Sequence, residues 1–319
     1  MCEKNIGVSV VCLAYNHEKY IRQTLEGFVN QKTDFPYEVL INEDCSTDST
    51  AAIIREYEEK YPHIIKPVYQ RENQYSRGGA LIRRFLLPKA VGKYIAVCEG
   101  DDYWTDENKL QKQYDFLENH PECTACVHRA LYRDLSAGVD TLVPNMDASR
   151  DYTLEEIVME GGGIFATNSV MISREGYLAM PQCFHKPYFS DYQMFMYAAM
   201  EGKIHCLADV MSVYHSGVSG SWTDTVWKHR ERRIRQYETC IGMLQEIDAH
   251  YEGRFHDILA RKILETEYQI HKVNEDVSAM KQPQYRAFYM ADRRMAIKGK
   301  IVKVFPFVLR IKRFLVKGT

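Results

Sequence analysis

The chain has 319 residues, 26% of them charged, and a formal net charge of −2, which suits two domains or one large one and gives no global field for nucleic acid. Its nine cysteines, odd in number and scattered, do not make a secreted disulfide framework, and the lone Cys123-x-x-Cys126 pair reads as packing thiols, because no second pair completes a zinc site. No segment approaches the ~20 apolar residues that span a bilayer, and the apolar run after Glu3 and Lys4 is too short for a signal peptide, so a reducing cytoplasm is expected.

Gly7 to Leu13 reads as a first buried strand. Asn16 is placed to cap a helix whose apolar face is Tyr20, Ile21, Leu25, Phe28 and Val29, ending near Gln31. Tyr37 to Ile41 gives a second strand. It ends in Glu43-Asp44-Cys45-Ser46-Thr47-Asp48, where Thr47 or Asp48 caps a helix through Ala51, Ile54 and Tyr57. Ile64 to Tyr69 is a third strand. The Gly78-Gly79 loop leads to a helix with Leu81, Phe85 and Leu86, and Tyr94 to Cys98 is a fourth strand. Strands alternating with helices at this spacing imply parallel pairing, so this half is a doubly wound α/β unit.

After Pro121 the pattern loosens. Thr124 to Ala130 is expected to be a strand, with a loop through Pro144. Thr153-Leu154-Glu155-Glu156 has capping-box spacing, and Gly161-Gly162-Gly163 ends the helix it opens. Ser169 to Ser173, Ile204 to Leu207 and Met211 to Tyr214 look extended. Ser190-Asp191-Tyr192-Gln193 is a second capping-box match, and from Thr225 onward the pattern is helical and charged.

Glu99, Asp101 and Asp102 crowd the carboxyl end of the fourth strand, where open α/β sheets bind ligands. Carboxylates so placed repel one another unless a cation neutralises them, and a hard divalent ion is commonly held by one or two carboxylates plus phosphate oxygens. A solvated acidic turn that caps the next helix is the other reading of the same residues.

Three pieces, Val8 to Asn16, Glu43 to Asp48 and Glu99 to Trp104, resemble in order and spacing the family 2 glycosyltransferases, over roughly residues 6 to 220. Two features depart from the family pattern. Leu13-Ala14 replaces the proline usual before Tyr15-Asn16, and Glu43 and Glu99 stand where Asp is common. The resemblance implies a GT-A fold of the nucleotide-diphospho-sugar transferase kind. Residues 1–120 would form its nucleotide-sugar half, 121–222 its acceptor half and 223–319 a helical extension. It further implies an inverting transfer of a monosaccharide from a nucleoside-diphosphate sugar, a UDP sugar first, to a hydroxyl of a glycan or lipid-linked acceptor, with Mn²⁺ or Mg²⁺ as cofactor.

By that resemblance Ala14, Tyr15, Asn16, Glu43, Asp44 and Asp101 would line the nucleotide site. Glu99, Asp101, Asp102 and His215 would face the metal, and Trp104 and Asn168 the acceptor, with Gly162-Gly163 beside them. Asp191, at the start of a helix in the second half, would be the base. Asp44 has a plainer role as a loop hydrogen-bonding residue, Asp191 as a helix first-turn acid, and His215 as a surface histidine. Gly217 to Trp222 would close over the donor to exclude water, a competing acceptor.

Residues 296–319 interleave lysine and arginine with Ile301, Val304, Phe305, Phe307, Val308, Ile311, Phe314 and Leu315. That suits an anionic membrane surface, which would make the protein peripheral on the inner face of the cell membrane. The other reading is a helix folded back on the protein. Two rival functions share the acidic strand ends. A sugar-phosphate nucleotidyltransferase would show a Gly-rich phosphate loop after the first strand, which Ala14-Tyr15-Asn16-His17 lacks. An inactive nucleotide-binding scaffold would have no need of Asp101, Asp102 and Asp191 together.

Overall fold

The computed structural model describes residues 6–78, 80–186, 190–217 and 229–293. The chain divides into two compact units, Met1–Thr225 and Val226–Thr319. In the first unit, β1 (Val8–Ala14), β2 (Tyr37–Glu43), β3 (Ile65–Tyr69) and β4 (Tyr94–Val97) pair in parallel in the order β3-β2-β1-β4. Every residue of β2 and β4 is buried, as is nearly all of β1, so burial does not alternate along these strands. The helices α1 (Ile21–Val29), α2 (Thr50–Lys60) and α3 (Lys109–Asn119) supply Ile21, Leu25, Phe28, Ile54, Leu110 and Leu117 to the same core. Gly92 lets β4 start against β1: a Cβ there would lie 2.3 Å from the Ser9 nitrogen.

Beyond β4 the sheet changes character. β5 (Tyr103–Trp104), β6 (Cys123–Asp134), β9 (Met171–Ser173) and β10 (Lys203–Ser216) continue it as β4-β9-β6-β10-β5, with β7 (Val139–Val143) on β6 and β8 (Arg150–Tyr152) on β10. β9 runs antiparallel to both β4 and β6, which carries the parallel half into the second half without a break. The remaining helices here are α4 (Leu154–Glu160), α5 (Arg174–Ala179) and α6 (Ser190–Glu201), and α6 packs on β6 and β10. Cys123 and Cys126 are buried free thiols.

Several local expectations are corrected. Asn16 does not cap α1; its φ is 55° and its Oδ1 accepts from the Thr47 amide (2.8 Å), so it ties the loop after β1 to the loop after β2. The cap position of α2 is Ser49, and Asp48 accepts from the Thr50 amide (2.9 Å). Ile82–Leu86 forms a wide π-type turn in place of a regular helix. The loop through Pro144 contains strand β7, whose first three residues are exposed and so lack an apolar signature. The two extended stretches after Lys203 are one strand, β10, interrupted by register shifts around Val210. Thr153 and Glu156 do form a reciprocal capping box on α4. The second match lies at the start of α6, whose first residue is Ser190, and Gln193 donates to the Lys186 carbonyl (2.9 Å).

The second unit holds α7 (Arg230–His250), α8 (His256–Val273) and the short α9 (Val277–Met280), with α7 and α8 packed together. Tyr268, 1% exposed, donates to Asp292 (2.8 Å), and Tyr285 donates to Glu267 (2.9 Å). The loop expected to close over the donor lies outside the described residues after Gly217, and so does the basic tail from Arg294 onward.

Candidate active site

The carboxyl ends of β1, β2 and β4 bring the three acidic or polar loops together. Asp44 donates its amide to the Ala14 carbonyl (2.9 Å), so the ends of β1 and β2 are tied edge to edge. Its carboxylate is 1% exposed and accepts from the Gln74 amide (2.8 Å) and the Tyr75 amide (3.0 Å), which gives it the loop-holding role. Glu43, also buried, accepts from the Ser46 amide (2.7 Å). Tyr15 is 43% exposed at the rim.

The loop after β4 carries the cluster. Asp102 is 1% exposed; its Oδ1 accepts from the His215 amide (2.8 Å), while Oδ2 is buried with no hydrogen-bond partner among the described residues. Burial first, then the Asp101 and Glu99 charges, raise Asp102 well above the usual carboxylate range, against the opposing pull of the His215 amide. Burial also pushes Glu99 up to about 8, helped by the charges of Asp101 and Asp191. His215 Nδ1 lies 2.6 Å from the Asp101 carbonyl oxygen. A carbonyl only accepts, so in the neutral ring Nδ1 carries the proton and Nε2 keeps its lone pair, the tautomer of a competent ligand. Among the described residues no three such side chains form a ready-made cation cage. The orphaned, buried oxygen of Asp102 and the raised Glu99 nevertheless fit a cation: each carboxylate is held in a place where its own charge is disfavoured.

Asp191 enters from α6 on the other half of the unit. Its Oδ1 accepts from the Tyr192 amide (2.7 Å), and Gly162 passes so close that a Cβ there would meet both carboxylate oxygens at 3.3 Å. Burial raises Asp191, while the Tyr192 amide opposes the rise. Its charge acts on Glu99, so the base candidate and the cluster share one electrostatic field.

The two acceptor candidates are packed into the fold. Trp104 is 4% exposed, with its indole N–H on the Asn168 carbonyl (2.9 Å) and the Lys109 ammonium over its ring at 4.1 Å. Asn168 is fully buried; it donates to the Val213 carbonyl and accepts from Ser212, both at 2.8 Å. Both residues brace β5, α3 and β10. Burial pushes Lys109 down to about 7.

Sequence reasoning passed over two residues. His17 directly follows the Ala14-Tyr15-Asn16 strand end, and its Nε2 lies 3.9 Å from Asp101 Oδ2. Burial lowers its pKa, although Asp101 and Asp48 pull it upward. Tyr214, next to His215, is raised by burial and then by Glu99, Asp102, Asp191 and Asp101 together. Strand position beside a singled-out residue was the available signal for each.

Comparison with known proteins agrees with this geometry. The family model described as Glycosyl transferase family 2 matches residues 9–164. An uncharacterised protein of Mycobacterium tuberculosis is 37% identical over 252 residues, which cover 77% of this chain and 70% of that protein. TuaG of Bacillus subtilis, named as a glycosyltransferase for teichuronic acid biosynthesis, is 29% identical over 67% of this chain and 82% of its own. The crystal structure of Staphylococcus aureus TarS 1-349 with UDP-GlcNAc superposes with a TM-score of 0.59 at 20% identity, covering 88% of this chain and 78% of that one, and shows the GT-A fold. On these matches the chain belongs to glycosyl transferase family 2 and is a glycosyltransferase.

Proposed function

We propose that the enzyme is a cation-dependent, inverting glycosyltransferase that moves a monosaccharide from a UDP sugar to a hydroxyl of a glycan or lipid-linked acceptor. The observation that carries this reading is the convergence of Glu99, Asp101 and Asp102 from one half with Asp191 from the other, in a single field that also reaches Tyr214. Residues 1–120 bind the donor and 121–222 receive the acceptor. Ala14, Tyr15, Asn16 and Glu43 line the nucleoside side, and Asp44 holds the Gln74–Tyr75 loop against it. Asp101, Asp102 and His215 Nε2 would hold Mn²⁺ or Mg²⁺, with Glu99 adjacent. Such a cation takes its remaining oxygens from the diphosphate and stabilises the negative charge that develops there.

Asp191 accepts the proton of the acceptor hydroxyl. That oxygen forms a bond to the anomeric carbon as the bond from this carbon to the diphosphate oxygen breaks, and the diphosphate leaves with the electron pair. Attack from the side opposite the leaving group inverts the anomeric centre. Burial suits Asp191 to the task, because a carboxylate with a raised pKa is a better base than an exposed one. The test is nucleoside diphosphate release from a panel of UDP sugars, with Mn²⁺ and with chelator. Asp191→Asn is expected to lower transfer by about 10²–10⁴-fold. Transfer at the normal rate by that variant, or in chelator, would refute the base or the cation respectively.

A further inference from the structure

Tyr132 and Tyr214 are register partners on β6 and β10, so they leave the same face of the sheet. Their rings stack, with centroids 5.3 Å apart and planes 20° from parallel, and both residues are only partly buried. The pair stands beside the acidic centre, because Tyr214 directly precedes His215, whose amide donates to Asp102 Oδ1 (2.8 Å) and whose Nδ1 lies 2.6 Å from the Asp101 carbonyl oxygen. The next register pair, Arg133 and His215, leaves the opposite face of the sheet. Tyr20 and Tyr103 flank the His215 ring at 5.3 and 5.7 Å, and Arg133 pairs with Asp140 (3.0 Å) across the β6–β7 hairpin. Neither the core nor the donor chemistry above uses the two stacked rings.

We propose that the Tyr132–Tyr214 stack is the acceptor platform, on which an uncharged terminal pyranose lies flat with its attacking hydroxyl turned to Asp191. This rests on the transfer reading and adds the class of group received. The C–H hydrogens on one face of a pyranose are weakly positive and are attracted to the negative face of an aromatic ring, while the phenol hydroxyls offer polar edges for sugar hydroxyls. An uncharged sugar face matches the apolar ring faces, which offer no cation to an anionic acceptor unit.

Saturation-transfer NMR on the full chain loaded with UDP and Mn²⁺ tests this, with methyl β-glucoside, methyl β-galactoside and methyl N-acetyl-β-glucosaminide as probes. Transfer to the ring C–H protons of at least one glycoside is expected. Tyr132→Leu and Tyr214→Leu should reduce it at least about fivefold, and Tyr132→Phe and Tyr214→Phe should keep it, because ring faces survive in phenylalanine. Undiminished transfer in the leucine variants, or none in the wild type, overturns the platform. Should a leucine variant fail to fold, tyrosine-labelled wild type decides: the Tyr132 and Tyr214 ring signals must move on glycoside addition, and their stillness overturns it. UDP affinity measured on the same sample separates the two readings. UDP bound without any glycoside sinks the platform alone, whereas a glycoside bound without UDP sinks the transfer reading alone.

Discussion

The pKa values of Glu99 and Asp102 are raised for one reason: burial strips water from a carboxylate, and neighbouring negative charges make ionising it harder still. For Glu99 the folded value stands at about 8 against 4.5 for the ordinary group. Between those values the folded chain holds a proton that the unfolded chain has released. Stability therefore falls as pH rises through that window, by at most ~1.4 kcal/mol per pH unit, and below it the effect vanishes. Glu99→Gln keeps the shape and cannot ionise. In chelator-treated buffer its urea midpoint should exceed that of the wild type at about pH 8.5 and equal it at about pH 4. Equal midpoints at both would mean that Glu99 ionises freely. The acidic composition behind this behaviour was legible in the sequence, because strand ends are where such residues gather. Trp104 and Asn168 were not legible in the same way. Their distance along the chain from the cluster is the same whether they point up into the cleft or down into the core, and only the packing of Lys109 and Ser212 against them decides.

At the scale of elements, the site is three loops braced by one another. Asn16 reaches Thr47, Asp44 reaches Gln74 and Tyr75, and His215 reaches Asp102. Each link crosses between segments at least 30 residues apart in sequence, which is why none could be read from local spacing. Strands β1, β2 and β4 were readable because burial on both faces leaves them rich in Val, Ile and Leu. β7 was not, since its first three residues are exposed. Asp44 shows what the bracing implies. A carboxylate accepts from two amides at once, whereas an asparagine side chain has one accepting oxygen and would aim its amide nitrogen at a backbone N–H. Asp44→Asn should therefore release the Gln74–Tyr75 loop at a cost of about 1–3 kcal/mol, the usual range for leaving a buried donor unsatisfied. Hydrogen exchange at the Gln74 and Tyr75 amides should quicken in that variant while the β1 amides stay protected. Unchanged exchange at those two amides would show that the loop holds without Asp44.

For the whole molecule, the remaining question is where the catalyst stands relative to its acceptor. No helix among the described residues is long and apolar enough to cross a membrane. Residues 294–319 carry Arg294, Lys298, Lys300, Lys303, Arg310, Lys312, Arg313 and Lys317 with no acidic residue between them. Near an anionic bilayer each such charge contributes about 1 kcal/mol, and the interleaved Phe305, Phe307 and Phe314 could add apolar insertion. A charge-driven attachment also has a signature that a folded-back helix lacks: it weakens as salt shortens the Debye length, from ~10 Å at 0.1 M to ~3 Å at 1 M. Deleting residues 294–319 should lower sedimentation with phosphatidylserine vesicles at least tenfold at roughly 0.1 M salt, and the gap between full-length and shortened protein should narrow towards 1 M. Vesicles of neutral phosphatidylcholine should bind both forms equally weakly. If full-length and shortened protein sediment alike with the anionic vesicles, the tail's charge serves some other end, and a lipid-linked acceptor would have to be met without it.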